Sequence, residues 1–189
     1  MKKHILLLTG SPGVGKTTVL LKAVQTLKAT GYSVGGMISR EVRSSGERIG
    51  FEILDLGDTK RGWLAHVNNP SGPKVGKYVV NLNDLDGIGA DAIVKAVERF
   101  DVVCIDEIGP MELFSVDFKN AVRRAIESEK LVLGIVHWKA TDRLIDAVKS
   151  REDTEIVPVT IENRSTLDGF IVKRAIEFFD FKKERFSED

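Results

Sequence analysis

Short apolar runs alternate along this chain with segments whose apolar residues recur at helical spacing. Runs of strand length occur at Ile5 to Leu8, at Val102 to Ile105 and at Leu131 to Val136. A helical spacing of three or four residues follows the first run at Val19, Leu20, Ala23, Val24 and Leu27, with Gly31 at the position of a C-cap. The same spacing predicts further helices around residues 93–100, 118–126, 141–149 and 165–178. Buried strands that alternate with amphipathic helices predict an α/β sandwich around a mainly parallel sheet.

One segment departs from this alternation. Residues 33–39 predict a second strand, and apolar residues at 49, 51 and 53 alternate beyond the turn signal Ser44-Ser45-Gly46. We therefore expect residues 37–56 to form an antiparallel hairpin inserted at the edge of the sheet. Residues 60–66 have mixed character, and residues 68–73 predict an internal loop rather than a linker, so that residues 1–189 form a single domain. The charged segment 182–189 is expected to be a frayed helix end.

Composition narrows the class of protein. The chain has 189 residues, of which 42% are hydrophobic, and its 28 Lys and Arg balance 28 Asp and Glu. This balance gives no strong indication of nucleic-acid binding, which usually requires a basic surface. No apolar run approaches the length of a signal-peptide core or a membrane span. Because its single cysteine, Cys104, cannot form an internal disulfide, we expect a cytoplasmic protein, and we expect a monomer.

The segment between the first strand and the first helix carries the clearest chemistry. It fits the pattern G-x-x-x-x-G-K-[ST] of a phosphate-binding loop, in which glycines let backbone N–H groups surround a polyphosphate. Lys16 is predicted to reach the β- and γ-phosphates of a nucleoside triphosphate, and Thr17 to offer its hydroxyl to Mg²⁺. Nucleotide contact is therefore predicted for Gly10, Ser11, Pro12, Gly13, Val14, Gly15, Lys16, Thr17 and Thr18. Residues Gly10 to Thr17 are called the phosphate loop below.

The apolar run Val102 to Ile105 ends in the acidic pair Asp106-Glu107. A buried parallel strand delivers such a pair to the carboxyl edge of the sheet, where ligands bind. There Asp106 is predicted to hold Mg²⁺ together with Thr17, and Glu107 to orient the attacking water. The alternative is a strand that ends in two solvated acids, but the phosphate loop upstream favours the catalytic interpretation.

Other candidates are less specific. His137 follows the strand Leu131 to Val136 and is a third catalytic candidate, or only a loop histidine. Asn163 and Arg164 follow the last strand, where they either contact the base of the nucleotide or cap a turn. Glu112 either supports the metal site or merely begins a helix. Six arginines remain candidates for stabilising transition-state charge, and no spacing selects among them: Arg40, Arg43, Arg48, Arg123, Arg124 and Arg143.

Taken together, three stretches resemble one family. They are the phosphate loop with Thr18, the hairpin with Arg48-Ile49-Gly50-Phe51 and Asp55-Leu56, and the run from Asp106 to Glu112. The chain resembles the archaeal and bacterial P-loop nucleoside-triphosphatases that include the cancer-related nucleoside-triphosphatase. The resemblance implies a three-layer P-loop sandwich of the catalytic-glutamate type, Mg²⁺ dependence and hydrolysis of several nucleoside triphosphates. It also carries nucleotide contact onto the strand end, that is, onto Asp101, Val102, Val103, Cys104, Ile105, Asp106, Glu107 and Ile108.

Two other functions remain open from the sequence. A nucleotide, nucleoside or polynucleotide 5′-kinase would use the same phosphate loop but needs an acceptor pocket and a lid that excludes water. A nucleotide-gated switch would hydrolyse slowly and report to a partner. The acidic pair favours transfer to water.

Overall fold

The structure is a computed structural model that describes residues 3–187. Its strands are β1 (Ile5–Thr9), β2 (Val34–Ser44), β3 (Glu47–Asp55), β4 (Arg61–His66), β5 (Lys74–Val75), β6 (Tyr78–Val80), β7 (Val102–Ile108), β8 (Leu131–Val136) and β9 (Thr154–Pro158). Its helices are α1 (Lys16–Ala29), α2 (Leu82–Asp84), α3 (Asp91–Arg99), α4 (Val116–Glu127), α5 (Arg143–Lys149) and α6 (Leu167–Ser187). A π-helical turn, Leu85–Ala90, joins α2 to α3, and a 3₁₀ turn, Glu112–Phe114, precedes α4.

All strands form a single nine-stranded sheet in the order β5-β6-β4-β3-β2-β7-β8-β1-β9. The half from β2 to β9 is parallel. Strand β8 lies between β1 and β7, so that the phosphate loop and the acidic pair leave the same edge of the sheet two strands apart. The predicted α/β sandwich with a mainly parallel sheet is confirmed.

Helices cover both faces of the sheet. Helices α1 and α6 pack on one face, where Leu20, Leu27 and Ile171 meet the buried side chains of β1 and β8. Helices α3, α4 and α5 pack on the other face, where Ile93 and Phe118 lie against Ile105. Strands that are buried on both faces read as continuous apolar runs, which is why β7 and β8 are recognisable from the sequence.

The antiparallel half is larger than the predicted hairpin. Strands β2 and β3 pair antiparallel over Met37 to Ser44, as expected. The sequence interpretation missed β4, which pairs with β3, and β5 and β6 extend the sheet beyond it. A register shift between Phe51 and Glu52 interrupts the β3–β4 ladder. Residues 60–66 also lack a regular alternation of apolar and polar side chains, which is why their sequence does not predict a strand.

The helix ends follow the sequence signals closely. Gly31 adopts a left-handed conformation (φ +97°) after α1, and the Ser115 hydroxyl caps α4 by accepting a hydrogen bond from Phe118 N–H at 2.8 Å. Helix α6 includes the charged segment as far as Ser187, so this segment is the end of a helix, and its fraying stays a prediction; residues 188–189 lie outside the described residues. Among the residues described, no helix combines the length and the apolarity needed to cross a bilayer.

Candidate active site

The phosphate loop closes tightly between β1 and α1. A side chain is excluded at Gly10, because a Cβ there would stand 2.7 Å from the backbone oxygen of Val159. Gly15, immediately before α1, has φ +107°, a conformation that side-chain-bearing residues rarely adopt. The loop therefore needs glycine at both positions to turn the chain into the helix. Because α1 begins at Lys16, the first backbone N–H groups of the helix lie at the end of the phosphate loop, where a helix can bind an anion.

Lys16 lies across this loop. Its Nζ donates hydrogen bonds to the backbone oxygens of Gly10 at 3.0 Å and Ser11 at 3.2 Å. Burial raises the pKa of Glu107, and the charge of the Lys16 ammonium partly offsets that rise, so this charge reaches the acidic pair. Lys16 therefore links the phosphate loop electrostatically to the end of β7.

Asp106 is the most buried acid of the site, with 1% of its surface exposed. Its Oδ1 accepts a hydrogen bond from the Thr17 hydroxyl at 3.2 Å, and the backbone N–H of Ser39 also acts on the carboxylate. Its Oδ2 is buried without a hydrogen-bond partner in residues 3–187. Burial, and then the charge of Glu107, raise the pKa of Asp106 to about 7. A buried unpaired carboxylate oxygen beside a threonine hydroxyl fits a divalent cation, which prefers oxygen ligands.

A bulge in β7 presents both acids at the site. Ile105 pairs with Gly134 and Ile108 pairs with Val136, so two residues of β7 stand opposite one residue of β8. In a regular strand, adjacent side chains point to opposite faces, whereas a bulge redirects one of them. Glu107 Oε1 is also buried with no hydrogen-bond partner in the described part of the chain, and burial raises the pKa of Glu107. The second carboxylate is thus free to bind a ligand or water.

His137 follows β8 and lies next to the end of β7. Its backbone N–H donates to the Ile108 oxygen at 3.0 Å. Its Nδ1 accepts hydrogen bonds from the backbone N–H groups of Ala140 at 2.9 Å and Lys139 at 3.3 Å. Burial and the Lys16 charge lower the pKa of His137. The ring is therefore neutral at pH 7 with its proton on Nε2, which makes it a hydrogen-bond donor rather than a base.

The loop after β9 reaches the phosphate loop through one residue. Arg164 Nη1 donates to the Val14 backbone oxygen at 3.3 Å. Asn163 instead closes a turn, because its side chain accepts from Thr160 N–H at 2.9 Å and donates to the Pro158 oxygen at 2.9 Å. The structure therefore brings Arg164 to the phosphate loop. The Asn163 amide lies in the turn, which is the capping alternative that the sequence had left open beside base contact.

The predicted nucleotide contact along β7 needs correction. Asp101 lies at the far end of the strand, where its carboxylate accepts hydrogen bonds from Ser33 N–H at 2.8 Å and from the Ser33 hydroxyl at 2.6 Å. Val102, Val103, Cys104, Ile105 and Ile108 have no exposed surface. These residues carry the acidic pair to the sheet edge but cannot touch a ligand themselves. Burial also raises the pKa of the Cys104 thiol.

Several candidate arginines are engaged away from the phosphate loop. Arg40 pairs with Glu52 across the hairpin, and Arg48 pairs with Glu41 at 2.8 Å. Other pairs join Arg43 to Glu41 and Arg124 to Glu98. The sequence interpretation also missed Ser39, which contributes a backbone N–H to Asp106. No side-chain pattern signals such a contact, because any residue at this point of β2 supplies it.

Comparison with known proteins places the chain in a family. A family model described as NTPase matches residues 5–172. The nucleoside-triphosphatase THEP1 of Methanosarcina acetivorans is 46% identical over 167 residues, which cover 88% of this chain and 93% of that protein. The protein of the same name from Thermofilum pendens is 44% identical over 162 residues, covering 85% of this chain and 89% of the relative.

Solved structures agree with the sequence matches. The crystal structure of THEP1 from Aquifex aeolicus superposes with a TM-score of 0.78 at 28% identity, covering 92% of this chain and 98% of that chain. The solution structure of a human cancer-related nucleoside triphosphatase gives a TM-score of 0.76 at 36% identity, covering 90% of this chain and 96% of the other. The shared P-loop fold and the matches along most of the sequence show that this chain belongs to the NTPase family that includes these nucleoside-triphosphatases.

Proposed function

We propose that this protein is a Mg²⁺-dependent nucleoside triphosphatase that transfers the γ-phosphoryl group to water and accepts several bases. The observation that carries this proposal is the Glu107 carboxylate within the field of Lys16, whose Oε1 is buried without a hydrogen-bond partner among residues 3–187. A carboxylate in that position can hold and polarise a water molecule. The names of the relatives, nucleoside-triphosphatases, support the same activity.

The phosphate loop binds the triphosphate through backbone N–H groups, and Lys16 exchanges its contacts with Gly10 and Ser11 for phosphate oxygens. Thr17 and Asp106 are the residues that would hold Mg²⁺, which when bound neutralises charge on the phosphates. Asp106 Oδ2, buried without a partner among residues 3–187, supports this assignment.

Glu107 orients the attacking water, and His137 donates a hydrogen bond from Nε2 toward the reacting phosphate or water. The neutral ring fits this role, because both backbone N–H groups at Nδ1 fix its tautomer. Phosphoryl transfer passes through a loose transition state, so positioned charges and hydrogen bonds matter more than a strong base.

Loose discrimination among bases is expected from the loop after β9. The Asn163 amide is occupied by its own turn, and Arg164 contacts a backbone oxygen of the phosphate loop. Both side chains thus already have partners in the turn and in the phosphate loop, which argues against a dedicated base-reading pair at these two residues. The values of kcat/KM for ATP, GTP, CTP and UTP should therefore lie within about two decades of each other, because a site that reads base hydrogen bonds discriminates by more. Steady-state kinetics with all four substrates check this prediction.

Identification of the products tests the reaction itself. The purified protein is incubated with each labelled triphosphate and Mg²⁺, with and without nucleosides, nucleoside monophosphates and 5′-hydroxyl oligonucleotides. Release of inorganic phosphate at a rate that these acceptors leave unchanged supports hydrolysis. Transfer of label to an acceptor faster than to water would replace the proposal by a kinase.

Asp106→Asn should change the metal requirement more than the fold. The amide keeps the shape and the hydrogen bond from Thr17 but loses the charge that attracts the cation. We expect the Mg²⁺ concentration for half-maximal turnover to rise at least about tenfold, the lower end of the usual cost of disturbing a metal site. A Mg²⁺ titration of phosphate release measures it, and an unchanged midpoint would contradict the role of Asp106.

A further inference from the structure

A second buried acid lies behind the acidic pair. Glu112 begins the 3₁₀ turn after β7 and has 4% of its surface exposed. Burial raises its pKa to about 8, with smaller contributions from the charges of Glu107 and Asp106 that add to the rise. Keeping an acid in such surroundings is unfavourable, and an apolar residue of similar length would usually pack there at no cost in stability. We therefore expect that Glu112 has a functional role rather than a role in stability.

The contacts of Glu112 lead to Glu107 through one glycine. The backbone N–H of Gly109 acts on the Glu112 carboxylate and favours its charged form, as does the N–H of Glu112 itself. A Cβ placed on Gly109 would stand 3.2 Å from Glu112 Oε2 and 3.4 Å from Glu107 Cγ. Both acidic side chains thus lie against Gly109 on the side where a side chain would project, and the missing Cβ leaves room for them.

The turn that links Glu107 to Glu112 is held in place by further hydrogen bonds. Leu113 N–H donates to the Gly109 oxygen at 3.0 Å, and His137 N–H donates to the Ile108 oxygen at 3.0 Å. At the far end, the Ser115 hydroxyl is hydrogen-bonded to Asp86 of the π-helical turn. The first two contacts hold the carbonyl groups of Ile108 and Gly109, and the side chains of Glu112 and Glu107 lie against the same turn at Gly109.

We infer that Glu112 is a positioning residue, which fixes the Gly109 turn and thereby holds the Glu107 carboxylate in the orientation needed to place water. This inference rests on the proposed role of Glu107 in hydrolysis. Because Glu107 Oε1 has no hydrogen-bond partner of its own in the described residues, packing against this turn is what restrains it. A small displacement of a water-orienting group is costly, on the order of 10²-fold for about 1 Å.

Two substitutions separate positioning from stability. Glu112→Met fills the same space without an acceptor for Gly109 N–H, whereas Glu112→Gln retains an acceptor oxygen. We expect Glu112→Met to lower kcat by about tenfold or more while KM stays within a few fold and the melting temperature is unchanged or higher. Glu112→Gln should restore kcat to within a few fold of the parent. Equal loss in both variants, or a full kcat in Glu112→Met, would overturn the inference.

A matched control is available elsewhere in the chain. Asp55 is also a buried acid, 6% exposed, and its Oδ1 accepts a hydrogen bond from Gly57 N–H at 2.8 Å. Gly57 packs on Phe100, before β7 begins, and so this turn lies away from the carboxyl edge of the sheet. Asp55→Asn should leave kcat at the parent value. A fall in kcat equal to that of Glu112→Met would show a general sensitivity to buried acids and would contradict positioning.

A double-mutant cycle distinguishes failure of this inference from failure of the proposed mechanism. If Glu112 acts through Glu107, the loss caused by Glu112→Met should disappear when Glu107 is already glutamine. An undiminished loss in the Glu107→Gln background would refute positioning while leaving the mechanism intact. Full activity of Glu107→Gln alone would instead refute the mechanism, and the inference with it.

Discussion

Glu107→Gln is expected to lower kcat by about 10² or more, the usual scale for a positioned acid–base group. The amide keeps the shape of the side chain but loses the charge that polarises water. Thr17 and Asp106 remain in contact, and the phosphate loop is untouched, so binding of nucleoside triphosphate with Mg²⁺ should survive within a few fold. Single-turnover phosphate release gives the rate, and titration with a fluorescent nucleotide gives the affinity.

The prediction for Glu107→Gln has a control variant, and two outcomes would contradict it. Glu152→Gln removes the same charge from an exposed position after α5 and should not change turnover. If Glu107→Gln keeps kcat while Asp106→Asn abolishes it, Glu107 is only a neighbour of the site. Water activation would then have to rest on His137, Glu112 or the substrate. Joint loss of binding and turnover would indicate a structural role at the end of β7.

Lys16→Ala should abolish measurable turnover and weaken binding of the triphosphate. The ammonium is the cation that the structure places on the loop between Gly10 and Ser11, and its charge extends to Glu107 and His137. A charge-assisted hydrogen bond contributes about 1.5–3 kcal/mol, which corresponds to roughly 10- to 100-fold in affinity. Turnover should fall further, because transition-state charge on the phosphates loses the same partner.

Lys22→Ala is the matched control, because Lys22 lies on the exposed side of the same helix, α1. It should bind and hydrolyse as the parent does, and circular dichroism should show equal helix content for both variants. Parent-like hydrolysis by Lys16→Ala would mean that residues 10–17 are not the site of phosphate binding. Isothermal titration with a non-hydrolysable triphosphate supplies the affinities.

The sequence alone determined the parallel core and its order of elements. Strands β1, β7 and β8 are buried on both faces, so burial imposes continuous apolar runs that are readable without a structure. Helices α1 and α4 carry one apolar stripe each; α1 ends at its C-cap, Thr30, just before Gly31, and α4 begins after its N-cap, Ser115. The phosphate loop could be recognised from the sequence because the local backbone requires glycine at Gly10 and Gly15, where a side chain would clash or strain the backbone.

The tertiary structure alone decided which of these residues meet. Thr17 and Asp106 are far apart in the chain and touch only because β7 and the phosphate loop share one sheet edge. The register shift that places Asp106 and Glu107 opposite a single residue of β8 exists only in the paired sheet and has no signal in the sequence. Asp101, in contrast, is close to Asp106 in sequence but lies at the opposite end of β7, where it contacts Ser33 away from the site.

The sequence also could not predict contacts made by backbone groups or the burial of individual side chains. Ser39 serves Asp106 through its N–H, which every residue except proline possesses. Strand β4 follows an irregular ladder, so its apolar residues keep no simple period. From the sequence, Glu112 could either support the metal site or merely begin a helix. Its burial beside Gly109 and Glu107 appears only in the folded chain, because desolvation and like charge depend on the surroundings.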